Sequence, residues 1–358
     1  MKITDIDKNF IQQSADENTV WLDAKNSLFK IYGVFYDSER KAFVRVPHHI
    51  SKEANEGIDY LATNTAGGRV VFNTNSSTLS LKCVIPNAGI MTHMPLSGSN
   101  GFAVYINGKF HTKISPDWTV FKENDERVTF TAKILLPSAE NIQEVKIYFP
   151  LYGGVCEFYI GLDKDCRIEK AKEYKHTKPI VYYGSSITQG GCASRPGNDY
   201  QGHIERWLNS DYINLGFSGS AKGELVIADY IISLNPSVFV MDYDHNAPDE
   251  EHLEQTHYPF YKKIRTAHPE VPIIFISRPD FNRDIKANGK RREIIKKTYL
   301  QSIREGDKLT DFIDGESLFG KEDFDACTVD GCHPNDLGFY RMAKSIFPVI
   351  EKFITIKE

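Results

Sequence analysis

The chain has 358 residues, 41 % of them hydrophobic and 25 % charged, with a formal net charge of -5. No stretch approaches the ~18 consecutive apolar residues of a membrane span, and the weakly acidic balance gives no positive field to gather nucleic-acid phosphates, so neither a membrane nor a nucleic acid is expected as a partner. The length exceeds the ~100–200 residues usual for one domain, so two are expected.

Met1 to Val20 are polar and acid-rich and lack the apolar core of a secretory signal, which makes the cytoplasm the expected location. From Val20 to about Arg167, short apolar-alternating runs are broken by turn residues: Leu28 to Gly33, Val70 to Phe72, Leu79 to Cys83, Val104 to Ile106, Val128 to Thr131 and Val145 to Phe149. Such regular short strands predict an all-β, jelly-roll-like sandwich over residues 1–170. Asn107-Gly108 predicts a hairpin, because this pair accepts the positive φ of a type I′ turn. The charged stretch from Glu169 to Lys178 reads as a linker.

Over residues 171–358 strands and helices alternate. Strands are predicted at Ile180 to Tyr183, Tyr212 to Leu215, Val238 to Met241, Ile273 to Ser277 and Phe312 to Ile313. Helices are predicted at Tyr200 to Leu208, Glu224 to Leu234, Glu250 to His268, Arg292 to Arg304 and Phe339 to Phe353. This order implies a three-layer α/β fold, a parallel sheet with helices on both faces. Ligands of such sheets bind beyond the carboxyl ends of the strands, which directs attention to the segments just after them. The basic run Lys290 to Lys297 contains Glu293, Ile294 and Ile295 and reads as a solvated helix face. Six cysteines without a Cys-x-x-Cys pair read as free thiols.

Ser186, in Gly184-Ser185-Ser186-Ile187, follows the first of these strands at an abrupt turn. A hydroxyl there is a candidate nucleophile but needs a base, and His333 is the best candidate. Asp330, three residues earlier, is placed to hold the second imidazole nitrogen, and Pro334 after the histidine predicts a helix start. Gly219 and Asn246 follow the second and third strands and are candidate oxyanion donors: a backbone N–H with no Cβ in the way, and a neutral side-chain amide. The set describes acyl transfer by Ser-His-Asp chemistry and requires no metal or organic cofactor.

These blocks resemble the SGNH hydrolase superfamily, the GDSL-type esterases, from about Pro179 to the C-terminus. Gly184-Ser185-Ser186-Ile187 stands for the family's Gly-Asp-Ser-Leu block, with Ser185 replacing the aspartate. Gly219 in Phe217-Ser218-Gly219 stands for the glycine of the second block. Asp244-His245-Asn246-Ala247 keeps the asparagine of Gly-x-Asn-Asp but not its glycine or aspartate, and Asp330 and His333 complete Asp-x-x-His. The resemblance implies a flavodoxin-like sheet and an ester hydrolase with Ser186, His333 and Asp330 as triad, and Ser186 N–H, Gly219 and Asn246 as oxyanion hole. Thr65 to Thr74 and Ser99 to Tyr105 resemble the sandwich that precedes the hydrolase domain in a subgroup of bacterial carbohydrate esterases, with Ala103 in place of the aspartate of Gly-x-Asp-Leu-Tyr. This implies a small acyl group, acetyl on a carbohydrate, as substrate, and a sandwich that shapes the cleft or a subunit contact. An acyltransferase, a lipase or thioesterase, and a non-catalytic carbohydrate-binding protein are the alternatives.

Other polar residues have simpler readings. His48-His49 reads as a surface or loop pair, since adjacent strand side chains point to opposite faces. Asp242, Asp244 and His245 resemble a hard-metal cluster but equally orient loops. Cys332 lacks a strand-to-helix setting. Cys192, Arg195 and Tyr200 fit pocket lining or packing equally well, Arg278 and Asp280 fit the cleft edge, and Asp280 to Lys290 reads as a mobile loop over the site.

Overall fold

The computed structural model describes residues 11–12, 18–117, 119, 127–137 and 140–355; Met1 to Phe10, the start of the polar N-terminus, lie outside the described residues. Two large antiparallel sheets and a two-stranded one, Phe35–Asp37 with Ala42–Val44, come first. One large sheet runs in the order Ile11–Gln12, Thr19–Asp23, Glu157–Asp163, Thr78–Ile85 and Val128–Leu135. In the other, Arg69–Thr74 pairs with Lys30–Tyr32 and Ile168–Lys170 on one side and Gln143–Tyr148 on the other, followed by Phe102–Ile106 and Lys109–Ile114. Period-two alternation fixes the inner faces. Leu79, Leu81, Cys83 and Ile85 meet Val70, Phe72, Val104, Ile106, Val145 and Ile147 in one core. Asn107 and Gly108, at φ 48 and 77, turn the expected hairpin and set Ile106 opposite Lys109.

Three short helices interrupt the strands where none was expected: His48–Ala54, Glu56–Leu61 and Leu96–Ser99. Pro47 precedes the first, and Asn55 caps the second by accepting from Ile58 N at 2.8 Å. His48 and His49 therefore open a helix rather than sit on a strand, and His48 Nδ1 lies 2.9 Å from Glu39 Oε1.

The second half forms one parallel sheet in the order Ser210–Gly216, His176–Gly184, Val238–Asp242, Ile273–Ile276 and Thr310–Ile313, the flavodoxin-like order. Both faces are covered, so the strand centres Ile180 to Tyr183, Val238 to Met241 and Ile273 to Ile276 are continuous apolar runs. Ile180, Tyr182, Val238, Val240, Ile274 and Ile276 share a core with helices Tyr200–Leu208 and Asp336–Thr355. Val181, Tyr183, Phe239, Met241 and Phe275 share another with Leu225–Ser233, Glu250–Ala267 and Ile285–Arg304. No helix among the described residues is long and apolar enough to cross a membrane.

Three segments differ from the sequence reading. The stretch read as a linker is tied down: Ile168–Lys170 pairs with Phe72 to Thr74, Tyr174 is buried against Arg69, and His176 begins the first parallel strand. Asp280 to Lys290 is a 3-10 turn followed by the start of helix Ile285–Arg304, with Asn288 buried and donating to the carbonyls of Asp280 and Phe281. Pro334 bridges Thr328 instead of starting a helix; Asn335 does the capping, accepting from Leu337 N and Gly338 N.

Candidate active site

The first parallel strand ends at Gly184, where a Cβ would lie 2.2 Å from both Asp242 O and Thr188 Oγ1. Only glycine lets the chain turn this close to its neighbour strand. Ser185 then caps the short helix Ser186–Gln189 by accepting from Ile187 N at 3.2 Å, a task its hydroxyl shares with an aspartate carboxylate. Ser186 is the first helical residue, so its N–H has no intrahelical acceptor.

Ser186 Oγ lies 2.9 Å from His333 Nε2, and His333 Nδ1 lies 2.8 Å from Asp330 Oδ2. The other oxygen of Asp330 accepts from the N–H groups of Cys332 at 3.0 Å and His333 at 2.8 Å, so the turn itself aims the carboxylate. Burial works against its charge, but the hydrogen bonds from the His333 ring and the two backbone N–H groups outweigh it and hold the carboxyl down at about 2. An ionised Asp330 keeps the imidazole hydrogen on Nδ1 and leaves Nε2 to accept from Ser186.

Gly219 and Asn246 are neighbours. Gly219 N–H donates to Asn246 Oδ1 at 3.1 Å, and Asn246 Nδ2 donates to Phe217 O at 2.8 Å. These two bonds fix which way the amide faces and leave one Nδ2 hydrogen open. A Cβ at position 219 would meet nothing within 4 Å, so clearance is not why glycine stands there; a φ of +67° is. Phe217 N in turn donates to Gly184 O at 2.9 Å, which ties this loop to the one carrying Ser186.

Asp242 and Asp244 are buried, and each holds a loop. Asp242 accepts from Thr188 Oγ1 at 3.0 Å, and Asp244 Oδ2 accepts from Arg278 N at 3.2 Å. Burial, reinforced by the Asp244 charge, pushes the Asp242 carboxyl well above its ordinary range. His245, Asp280 and Cys332 bring one ligand-type atom each within 4.8 Å of one another. Arg278 already binds both oxygens of Asp280 at 2.8 Å, and burial pushes the Cys332 thiol up to about 12. Arg195 stacks over Phe110, while Cys192 and Tyr200, the first residue of helix Tyr200–Leu208, are buried in one core.

Two residues at the site come from loops of the N-terminal half, His93 between Thr78–Ile85 and Leu96–Ser99 and Tyr152 between Gln143–Tyr148 and Glu157–Asp163, and had no sequence signal. The His93 ring centroid lies 5.8 Å from that of His333, and the Tyr152 hydroxyl donates to Ser186 O at 3.5 Å. A cavity of 320 Å³ opens beside His93, lined also by Pro95, Cys192 and Asn335 among others.

Residues 177–351 match the GDSL-like lipase/acylhydrolase family, and residues 19–168 match the N-terminus of SGNH-hydrolase-type esterases. No curated protein matches the sequence. Among solved structures, a GDSL-like lipase from Bacteroides ovatus, so described, shares 28 % identity at a TM-score of 0.82 over 94 % of this chain and 98 % of its own. A salicylyl-acyltransferase from a tetracycline biosynthetic pathway shares 18 % at 0.72, over 91 % and 95 %. An active-site mutant of a family two carbohydrate esterase from Clostridium thermocellum shares 15 % at 0.64, over 90 % and 98 %. With the nucleophile block, the parallel sheet and both matches in agreement, the chain belongs to the GDSL-type acylhydrolases and carries the N-terminal sandwich of the SGNH-type esterases.

Proposed function

We propose that the protein is a serine esterase that removes small acyl groups, acetyl above all, from carbohydrate alcohols through a covalent acyl-enzyme. The observation that carries this reading is the continuous line from Ser186 Oγ through His333 to Asp330, with contacts of 2.9 and 2.8 Å, at the carboxyl edge of the sheet. Ser186 Oγ attacks the ester carbonyl as His333 Nε2 takes its proton, Asp330 stabilises the imidazolium, and His333 returns the proton to the leaving alcohol oxygen. Water then repeats the sequence on the acyl-enzyme. The negative oxygen of each tetrahedral intermediate is met by Ser186 N–H and the open Nδ2 hydrogen of Asn246, while Gly219 N–H is shared between that oxygen and Asn246 Oδ1.

The carbohydrate half of the reading is supported by likeness to a carbohydrate esterase and by the match of residues 19–168 to the N-terminus of SGNH-hydrolase-type esterases. The test is rapid quenching of the enzyme with p-nitrophenyl acetate and peptide mass spectrometry, alongside acetate release from acetylated oligosaccharides. An acetyl adduct on the Ser186 peptide and faster turnover of acetyl than octanoyl esters are expected. No adduct, or a preference for octanoyl, would count against it.

A further inference from the structure

Arg45 is 1 % exposed, and among the described residues no carboxylate pairs with it. Its guanidinium instead donates to four backbone carbonyls: Asn64 O at 2.8 Å, Leu61 O at 2.7 Å, Asn214 O at 3.0 Å and Gly216 O at 2.6 Å. It also lies 4.5 Å from the centre of the Phe217 ring. Burial lowers its pKa to about 9, which leaves it cationic at neutral pH. A buried charge without a counter-ion is costly and rare in proteins. Two of the four carbonyls belong to strand Ser210–Gly216, which leads into Phe217-Ser218-Gly219, and Phe217 O holds the Asn246 amide.

We infer that Arg45, supplied by the bend after the short strand Ala42–Val44 of the N-terminal half, is a positioning residue for the oxyanion donors: its planar fork fixes the chain leading to Gly219, and its unpaired charge favours the negative intermediate over the neutral ester. The inference rests on the esterase reading above. The negative oxygen that forms during turnover gives this cation the opposite charge it lacks in the resting protein. Lysine keeps the charge but cannot reach four carbonyls with a planar fork.

The experiment titrates active sites with a fluorophosphonate and measures turnover of p-nitrophenyl acetate per titrated site for wild type, Arg45→Lys and Arg45→Met. Counting only reactive sites removes the effect of misfolded protein. Expected is a kcat per site lower by roughly tenfold to a hundredfold in Arg45→Met, with KM within about twofold, and an intermediate value in Arg45→Lys. Sites of Arg45→Met that turn over at the wild-type rate overturn the inference alone; if that variant does not fold, a wild-type rate in Arg45→Lys does so. Wild type unlabelled at Ser186 overturns the esterase reading and this inference with it.

Discussion

A serine hydroxyl is a weak nucleophile until a base takes its proton, and in the proposed reaction Ser186 depends for this on one imidazole held by one carboxylate. Besides the donor role proposed for it, Asn246 bridges Gly219 N and Phe217 O through its amide. Asn246→Ala should lower kcat on p-nitrophenyl acetate by about a hundredfold to a thousandfold with a much smaller change in KM, since the donor acts on charge that exists only in the transition state. Equal losses in kcat and substrate affinity would contradict that role. The five candidate residues were legible because each sits just beyond a strand or in a short local motif. Tyr152 and His93 were not, because they approach Ser186 and His333 on loops of the other half of the chain and leave no spacing to read.

At the scale of elements, the third parallel strand ends in Asp242, one residue beyond the predicted end at Met241. The extra residue is a carboxyl in an apolar place, bonded to Thr188 and facing Asp244. Its folded pKa is raised, so the native state holds a proton that the unfolded chain releases above its ordinary value of 3.8. Stability from this group therefore falls as pH rises above about 4. Asp242→Asn keeps the shape and removes the titration, so the variant should gain thermal stability over wild type at pH 7 and lose that advantage near pH 4, as read by melting temperature across pH. A constant difference across that range would mean that Asp242 is ionised in the fold. Strand and helix positions were legible here because apolar runs alternate with helical periods. The turn at Asp280 was not, since Asn288 is buried by contacts to Asp280 and Phe281 carbonyls that its own polarity conceals.

At the scale of the molecule, polar contacts join the N-terminal sheets to the parallel-sheet half. Lys146 Nζ lies 2.5 Å from Glu205 Oε1, Tyr148 donates to the other oxygen, and Arg69 pairs with Asp211. Burial opposes the charge of Glu205, but Lys146, Arg69 and Arg206 hold its carboxyl down at about 2. Glu205→Gln would leave Lys146 buried without its partner and should cost roughly 3–5 kcal/mol, seen as a lower denaturation midpoint. A midpoint unchanged from wild type would show that the pair is dispensable to the junction. No periodicity links residue 146 to residue 205, so this junction was invisible in the sequence, although each half was legible by itself.

The most direct test of the account is the steady-state rate of p-nitrophenyl acetate hydrolysis by wild type and Ser186→Ala, with melting temperatures measured alongside. The expected result is a fall of roughly three orders of magnitude or more at an unchanged melting temperature. A Ser186→Ala protein that is folded and hydrolyses the ester at the wild-type rate would contradict it.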